Sequence, residues 1–383
     1  MGRTRTKSRK AALVAKKYVV EEPKAVPSIP ALLEKAQSLV VQCDYELAKR
    51  FAQRVLEREP NHTQAKEILG VVYLETGELD AAKSTFESLL PPNPGAPSIP
   101  PPSAHLYLAQ LSEDDPQLAL RHYQSAVDIL NVQLKGKERA VDLPGPSDDE
   151  VELKQNIVGA LIGMVEIWMD PSYDLCFDPA AEKTCEDLLN MALQTDPGNT
   201  EALQSLASVR LSQQRPDDAR VHLEHAWSVW KDLDLDDSRL PPISSRLTLV
   251  KMFLELSLFT PALLVLQGIM SSDDQEVEAW YLEGWCFFLM AEQAQEKGGK
   301  LDELAWQDLA RDARDCLETC QMLHINLEHP DTPLLEHTKE LIAKLDALGI
   351  QPSPDDGGKD DDGDAGWEDV DGSEDEDEDV RMW

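Results

Sequence analysis

Leu69-Gly70-Val71-Val72-Tyr73, followed by Gly77, Ala82, Phe86, Leu89 and Pro94, decides the architecture of this 383-residue chain. The pattern returns from Thr200, after Asp196-Pro197-Gly198-Asn199, as Leu203, Leu206-Ala207, Ala219, Leu223 and Ala226. A third echo pairs Trp280 with Gly284. Small residues recur where two helices of a pair have to cross closely. Gly70, Ala109, Ala207 and Gly284 take that place on the first helix. On the second helix it falls to Ala82, Ala219 and Ala262 near the start, and to Ala126, Ala192 and Ala226 two turns on. Phe86, Tyr123, Leu189, Leu223 and Leu266 are spaced to fill the remaining core. Pro60, Pro94 and Pro197 follow the second helix, which proline cannot continue. Each pair leaves an apolar face that only a stacked neighbour buries.

The period of about 34 residues resembles the tetratricopeptide repeat. That resemblance implies an all-α superhelical solenoid, with the inner surface lined by the first helix of each hairpin. In register, seven hairpins span 29–62, 63–96, 102–133, 150–198, 200–233, 243–276 and 277–325. An amphipathic segment, Pro333–Gly349, carries Leu334, Leu335, Leu341, Ile342, Leu345 and Leu348 and reads as a capping helix. Three hairpins depart from the pattern. The third has a short turn at Asp114-Asp115-Pro116, the fourth an enlarged turn at Asp170–Pro179, and the seventh an insertion at Glu292–Glu303. The proline-rich run Pro91–Pro102 is expected to be extended. The stretches 136–149 and 231–242 read as surface loops within one array, and nothing alternates as a strand would. The expected organisation is a disordered basic tail over 1–28, a solenoid over 29–349 and a disordered acidic tail over 350–383. At the crossing beside Gly70, leucine is expected to overpack and alanine to be tolerated.

The net charge is −36. Residues 1–30 carry +6, residues 351–383 carry −13, and the 320 residues between them carry −29. The folded body is therefore acidic in its own right. Such a surface repels nucleic acid and anionic membrane and steers in basic partners. Solubility alone is the plain alternative, although −29 exceeds what it requires.

No phosphate loop, nucleophile elbow or His-Glu-x-x-His helix is present, so no enzyme and no cofactor are expected. His222 and His225 fit a solvated helix face, not a metal pair. Cys316 and Cys320 share a face without a second ligand pair and read as core. No apolar run reaches the ~18–20 residues of a membrane span. Ala11–Ala15, between charges, is too short for a secretion signal.

The N-terminal cations Arg3, Arg5, Lys7, Arg9, Lys10, Lys16 and Lys17 read first as a nuclear import signal, with an import receptor as partner. A disordered basic tail, a tail folded back on the acidic body, or an RNA contact stays open. Asp355–Asp379 is too charged to form a core. Within it lie Trp367-Glu368-Asp369-Val370 and Ser373, a plausible phosphorylation site among acids.

Three features combine here: the start Arg3-Thr4-Arg5-Thr6-Lys7-Ser8-Arg9-Lys10, the seven-hairpin acidic body, and the acidic end around Trp367-Glu368-Asp369-Val370. Together they resemble the fungal assembly chaperones dedicated to the fourth protein of the large ribosomal subunit. The resemblance implies a monomer, shared between cytoplasm and nucleus, that captures a basic unfolded loop of that newly made ribosomal protein. It would shield the loop from aggregation and degradation and release it at the pre-ribosome.

Counting register by register, the inner surface is expected to present Gln64, Glu67, Glu75, Glu113, Asp114, Glu201, Gln204, Glu255, Glu278, Tyr281, Trp285 and Phe288. Carboxylates pair with guanidinium and ammonium groups, and aromatic rings stack on arginine. For Trp285 and Phe288, packing against the cap is the alternative. A heat-shock co-chaperone would need Lys and Asn at inner positions where this chain has Leu33, Gln37, Glu67 and Val71. A histone chaperone and a scaffold subunit are the remaining rivals.

Overall fold

A computed structural model of the chain describes residues 27–138, 147–301 and 303–353. The import-signal cations, Trp367–Val370 and Ser373 lie outside the described residues. The chain divides at Pro241–Pro242 into two compact units. That division falls in the stretch 231–242, which the sequence presents as an ordinary loop inside a continuous array.

The first unit holds five helical hairpins. They are α1 (Ile29–Val41) with α2 (Tyr45–Leu56), α3 (Thr63–Glu75) with α4 (Leu79–Glu87), α5 (Pro102–Gln110) with α6 (Pro116–Glu138), α7 (Asp148–Met169) with α8 (Ala181–Thr195), and α9 (Thr200–Ser212) with α10 (Pro216–Ser228). Each helix packs on the next up to α10. In addition α1 packs on α3 and α7 on α9, so these first helices are neighbours across hairpins. The second unit holds α11 (Ile243–Glu255) with α12 (Phe259–Met270), α13 (Val277–Glu296) with α14 (Trp306–Asn326), and a final helix α15 (Thr332–Ala347). Seven hairpins and a cap therefore stand where the repeat pattern places them. No described helix is long and apolar enough to cross a membrane.

The turns inside the hairpins repeat as well. Cys43, Gly77, Gln214 and Ser257 all adopt positive φ, between 54° and 75°. Behind each, the next N–H reaches back five residues: Asp44 to Leu39, Glu78 to Tyr73, Arg215 to Arg210 and Leu258 to Phe253. This left-handed cap satisfies carbonyls that the helix end leaves open. Only Gly77 uses the residue for which the conformation is free of strain. Side chains close the starts. Asp44 accepts from the Leu47 N–H at 3.2 Å, and Asn199 from the Ala202 N–H at 3.0 Å.

The small residues sit at the crossings as expected. Ala82, Ala126, Ala192, Ala207, Ala219, Ala226 and Ala262 are buried, as are Phe86, Leu189, Leu223 and Leu266. A Cβ on Gly70 would lie 2.5 Å from Cζ of Phe86, and one on Gly284 would lie 2.7 Å from Cγ of Leu317. This corrects the expectation for Gly70. The Phe86 ring already fills the space into which an alanine methyl would point, so alanine is not accommodated without movement.

Two further expectations are corrected. The run from Pro91 forms turns, with the Asn93 N–H bonded to the Leu90 carbonyl and the Ala96 N–H to the Asn93 carbonyl, and is not simply extended. The insertion in the seventh hairpin contains a two-residue strand pair, β1 (Lys300–Leu301) with β2 (Leu304–Ala305), antiparallel. Four residues in all are too few to show alternation. The enlarged turn of the fourth hairpin is present and includes a 3-10 turn over Asp174–Phe177. It is tied to the third hairpin where the Tyr173 hydroxyl donates to the Glu113 carbonyl at 2.7 Å.

Candidate functional site

The first helices of the first four hairpins line a continuous groove in the first unit. One part of it, a cleft of 1160 Å³, is walled by Gln37, Val40 and Val41 of α1, by Thr63, Gln64, Glu67, Ile68 and Val71 of α3, by Ser103 and Tyr107 of α5, and by Glu152 of α7. An adjoining cleft of 790 Å³ shares Glu67, Ser103, Tyr107 and Glu152 and continues to Leu106, Asp149, Leu153 and Asn156. Lys137 closes its far side with an ion pair to Asp149 at 2.5 Å.

The register explains this lining. Gln37, Val71 and Tyr107 occupy equivalent positions of successive first helices, as do Leu33, Glu67 and Ser103. The spacing is 34 residues for the first step and 36 for the second, because the proline-rich turns lengthen the second connection. Residues four apart on one helix share a face, so α3 and α5 each bring both positions to the groove, whereas on α1 only Gln37 lines it and Leu33 is buried.

The walls combine apolar surface with negative charge. Val41 is 84 % exposed, and Ile68, Val71 and Tyr107 lie beside it. The Glu67 carboxylate accepts a short hydrogen bond from the Ser103 hydroxyl, which holds it at the centre of the groove. The Tyr107 ring stacks on Phe86 with centroids 4.8 Å apart and planes 20° from parallel. Its phenol is pushed up from its usual pKa by burial, and further by the negative charges of Glu75 and Glu67. It stays a neutral donor at physiological pH. Among the described residues, Glu67 and Glu152 carry the charge that no ion pair matches here, since Asp149 is matched by Lys137. The chemistry suits an extended segment that alternates cations with apolar side chains.

The other sequence-derived positions are scattered. Gln64 lines the groove with Glu67. Glu75 lies at the exposed C-terminal end of α3 and accepts from the Tyr45 hydroxyl at 3.2 Å. Glu113 and Asp114 fall in the turn after α5, because that helix ends at Gln110. Glu201 is exposed on α9; burial first, and then the charge of Glu201, raise the carboxyl of Glu166 on α7. Gln204 is 5 % exposed, which corrects its placement on an open surface.

In the second unit, Glu255 is exposed at the end of α11. Glu278 is already paired with Lys251 at 2.5 Å. The aromatic trio faces α15. The Tyr281 hydroxyl is hydrogen-bonded to Nδ1 of His337 at 2.8 Å, Trp285 meets the same imidazole edge-on at 5.7 Å, and Lys344 lies 5.7 Å from the centre of the Phe288 ring. Phe288 is buried, so packing against the cap, and not an open surface, is where it sits.

Sequence reasoning missed Val40, Val41, Tyr107 and Glu152 as groove residues. Tyr107 was within reach of the same register count that gave Glu67. Glu152 follows a lengthened connection for which the repeat supplies no count.

Among the described residues, no group of three or more His, Cys, Asp or Glu is placed to hold a metal ion. Four of the six thiols, Cys185, Cys286, Cys316 and Cys320, are buried, and all six are free.

Comparison with known proteins agrees with this architecture. Residues 33–97 match the family model described as tetratricopeptide repeat. A protein of Emericella nidulans named "Probable assembly chaperone of rpl4" is 30% identical over 87% of this chain and 83% of its own length. A Schizosaccharomyces pombe protein of the same name is 30% identical over 91% of this chain and 98% of its own. Among solved structures, "Assembly Chaperone of RpL4 (Acl4) (Residues 1-338)" superposes with a TM-score of 0.61 at 28% identity, covering 71% of this chain and all of that one.

Proposed function

The chain belongs to the family of assembly chaperones of rpl4, and from that membership we propose that its groove holds a basic, unfolded segment of rpl4 until assembly. The observation that carries the reading is the pairing of Glu67 and Glu152 with Val41, Ile68, Val71 and Tyr107 on one inner wall. A segment destined to lie among RNA phosphates is rich in Lys and Arg. Unpaired, it attracts polyanions and other unfolded chains. Carboxylates in the groove stand in for the missing phosphates with charge-assisted hydrogen bonds. Apolar neighbours add an attraction that salt does not screen.

Release follows from charge density. Ribosomal RNA carries far more negative charge per length than a groove with two free carboxylates, and displaced counterions favour its binding. On this reading the protein catalyses nothing: it binds, shields and yields its segment to RNA. Transit of the loaded chaperone into the nucleus, through an import receptor that recognises the basic run Arg3–Lys17, is part of the same proposal.

The test is affinity as a function of salt for a peptide copying the basic loop of rpl4, with a histone tail as control. Glu67→Lys with Glu152→Lys should weaken the loop peptide about tenfold or more. Reversing two acids within Asp355–Asp379 should change it far less. Equal losses from groove and tail, or equal affinity for loop and histone tail with both lost at moderate salt, would leave only a generic polyanion.

A further inference from the structure

We propose that the groove of the first unit is occupied, when no partner is present, by this chain's own basic N-terminal segment, Arg3–Lys24. The inference rests on the groove being a site for basic segments and adds an internal competitor to it.

Position comes first. The described chain begins at Pro27, whose carbonyl accepts a hydrogen bond from Arg58 at 2.6 Å. Arg58 lies four residues before His62, the residue that caps α3 and lines the groove. The N-terminal segment thus departs from the end of the groove where α3 begins. Twenty-six residues precede Pro27. Extended, they reach up to about 85 Å, whereas α3 is about 20 Å long. The tether imposes no limit.

Composition comes second. The segment carries eight Lys or Arg against Glu21 and Glu22, and interleaves them with Leu13-Val14 and Tyr18-Val19-Val20. That is the alternation of cations and apolar side chains that Glu67, Glu152, Val41 and Tyr107 are built to accept. No other stretch of similar length carries such an excess of positive charge.

Tethering supplies the remaining term. A segment joined by a short linker acts at an effective concentration of the order of millimolar. An intrinsic affinity near 0.1 mM then leaves the groove about nine-tenths filled, and an external ligand binds about tenfold more weakly than to an open groove. Arrival of a stronger basic ligand expels the segment. The run Arg3–Lys17 is then presented to solvent only on a loaded protein, which couples loading to whatever reads that run.

The experiment uses the full chain in two forms: native, and with the eight N-terminal Lys and Arg replaced by Gln. Zero-length carbodiimide coupling on the native monomer should join Lys16, Lys17 or Lys24 to Glu67 or Glu152, and the joins should vanish in E67Q/E152Q. A fluorescent peptide copying residues 3–24 should bind the Gln-substituted chain about tenfold more tightly than the native one. Equal binding to both forms overturns the internal competitor while leaving the groove a site for basic segments. No binding to either form overturns both readings. Joins directed to Asp355–Asp379, or between two chains, overturn the proposal in favour of another occupant.

Discussion

Replacing Gly70 by alanine tests the packing logic of the whole array. An alanine Cβ would lie 2.5, 2.6 and 2.9 Å from Cζ, Cε1 and Cε2 of Phe86. Carbon atoms at optimal separation are about 3.5–4.0 Å apart, so the ring has to retreat by about 1 Å. It has nowhere free to go. Phe86 is fully buried, and its ring stacks on Tyr107. Overpacking of this kind costs about 1–3 kcal/mol. Against it stands a helix-propensity gain of up to about 1 kcal/mol for Ala over Gly. The expected net change is a loss of about 1 kcal/mol, and displacement of Tyr107 at the groove. The decisive assay is a double-mutant cycle with Phe86→Leu, read by urea unfolding followed at the helical circular-dichroism band. Leucine shortens the side chain just where the clash lies. In that background Gly70→Ala should become neutral or stabilising, with a coupling of about 1–3 kcal/mol. If Gly70→Ala stabilises the native chain, or if the two changes are additive, the close crossing is not what glycine is needed for.

Acid should loosen the third hairpin. His105 of α5 and His122 of α6 bring their Nδ1 atoms to 3.0 Å, and burial, helped by the charge of His122, pushes His105 down to about 4. An unfolded imidazole titrates near 6.5. Between those values the unfolded chain takes up a proton that the folded one refuses, so stability falls as pH drops from about 6.5 to 4, by on the order of 2 kcal/mol; His105→Gln should lose measurably less over that window. Gln214→Gly and Ser257→Gly should each stabilise by several tenths of a kcal/mol, read as a rise in Tm, because both positions have positive φ; a lower Tm in either would show that the side chain contributes more than the strain. Thiol titration of the native protein should find exposed Cys43 reacting first, with Cys185, Cys286, Cys316 and Cys320 reacting only on unfolding. Burial raises the pKa of Cys185 and Cys320 to about 11 and of Cys286 to about 12, and pushes up Cys316 as well; rapid modification of any of these four would contradict the packing described.

Local chemistry along the chain was enough to determine the hairpins. The recurrence of Gly70, Ala82 and Phe86 at Ala207, Ala219 and Leu223 sets helix length, turn position and the face that is buried, because a crossing tolerates only a small side chain on one helix and a large one on the other. Charge was legible for the same reason: −29 on the body needs no fold to be counted. Gln64 and Glu67 reached the groove by register alone. Register failed wherever a neighbour outside the repeat decides exposure. Trp285 and Phe288 are spaced as inner residues, but α15 lies against them, and no count within the seventh hairpin shows where a capping helix docks. Gln204 has the right spacing and is nevertheless buried. Glu113 and Asp114 miss the groove because α5 stops one turn early. Tyr107 and Glu152 come together with Glu67 although 40 to 85 residues separate them in the chain. Burial and proximity are properties of all the surfaces that meet at a point. A sequence period describes one surface at a time, so the tertiary structure alone decided which carboxylates share a wall with Val41 and Tyr107.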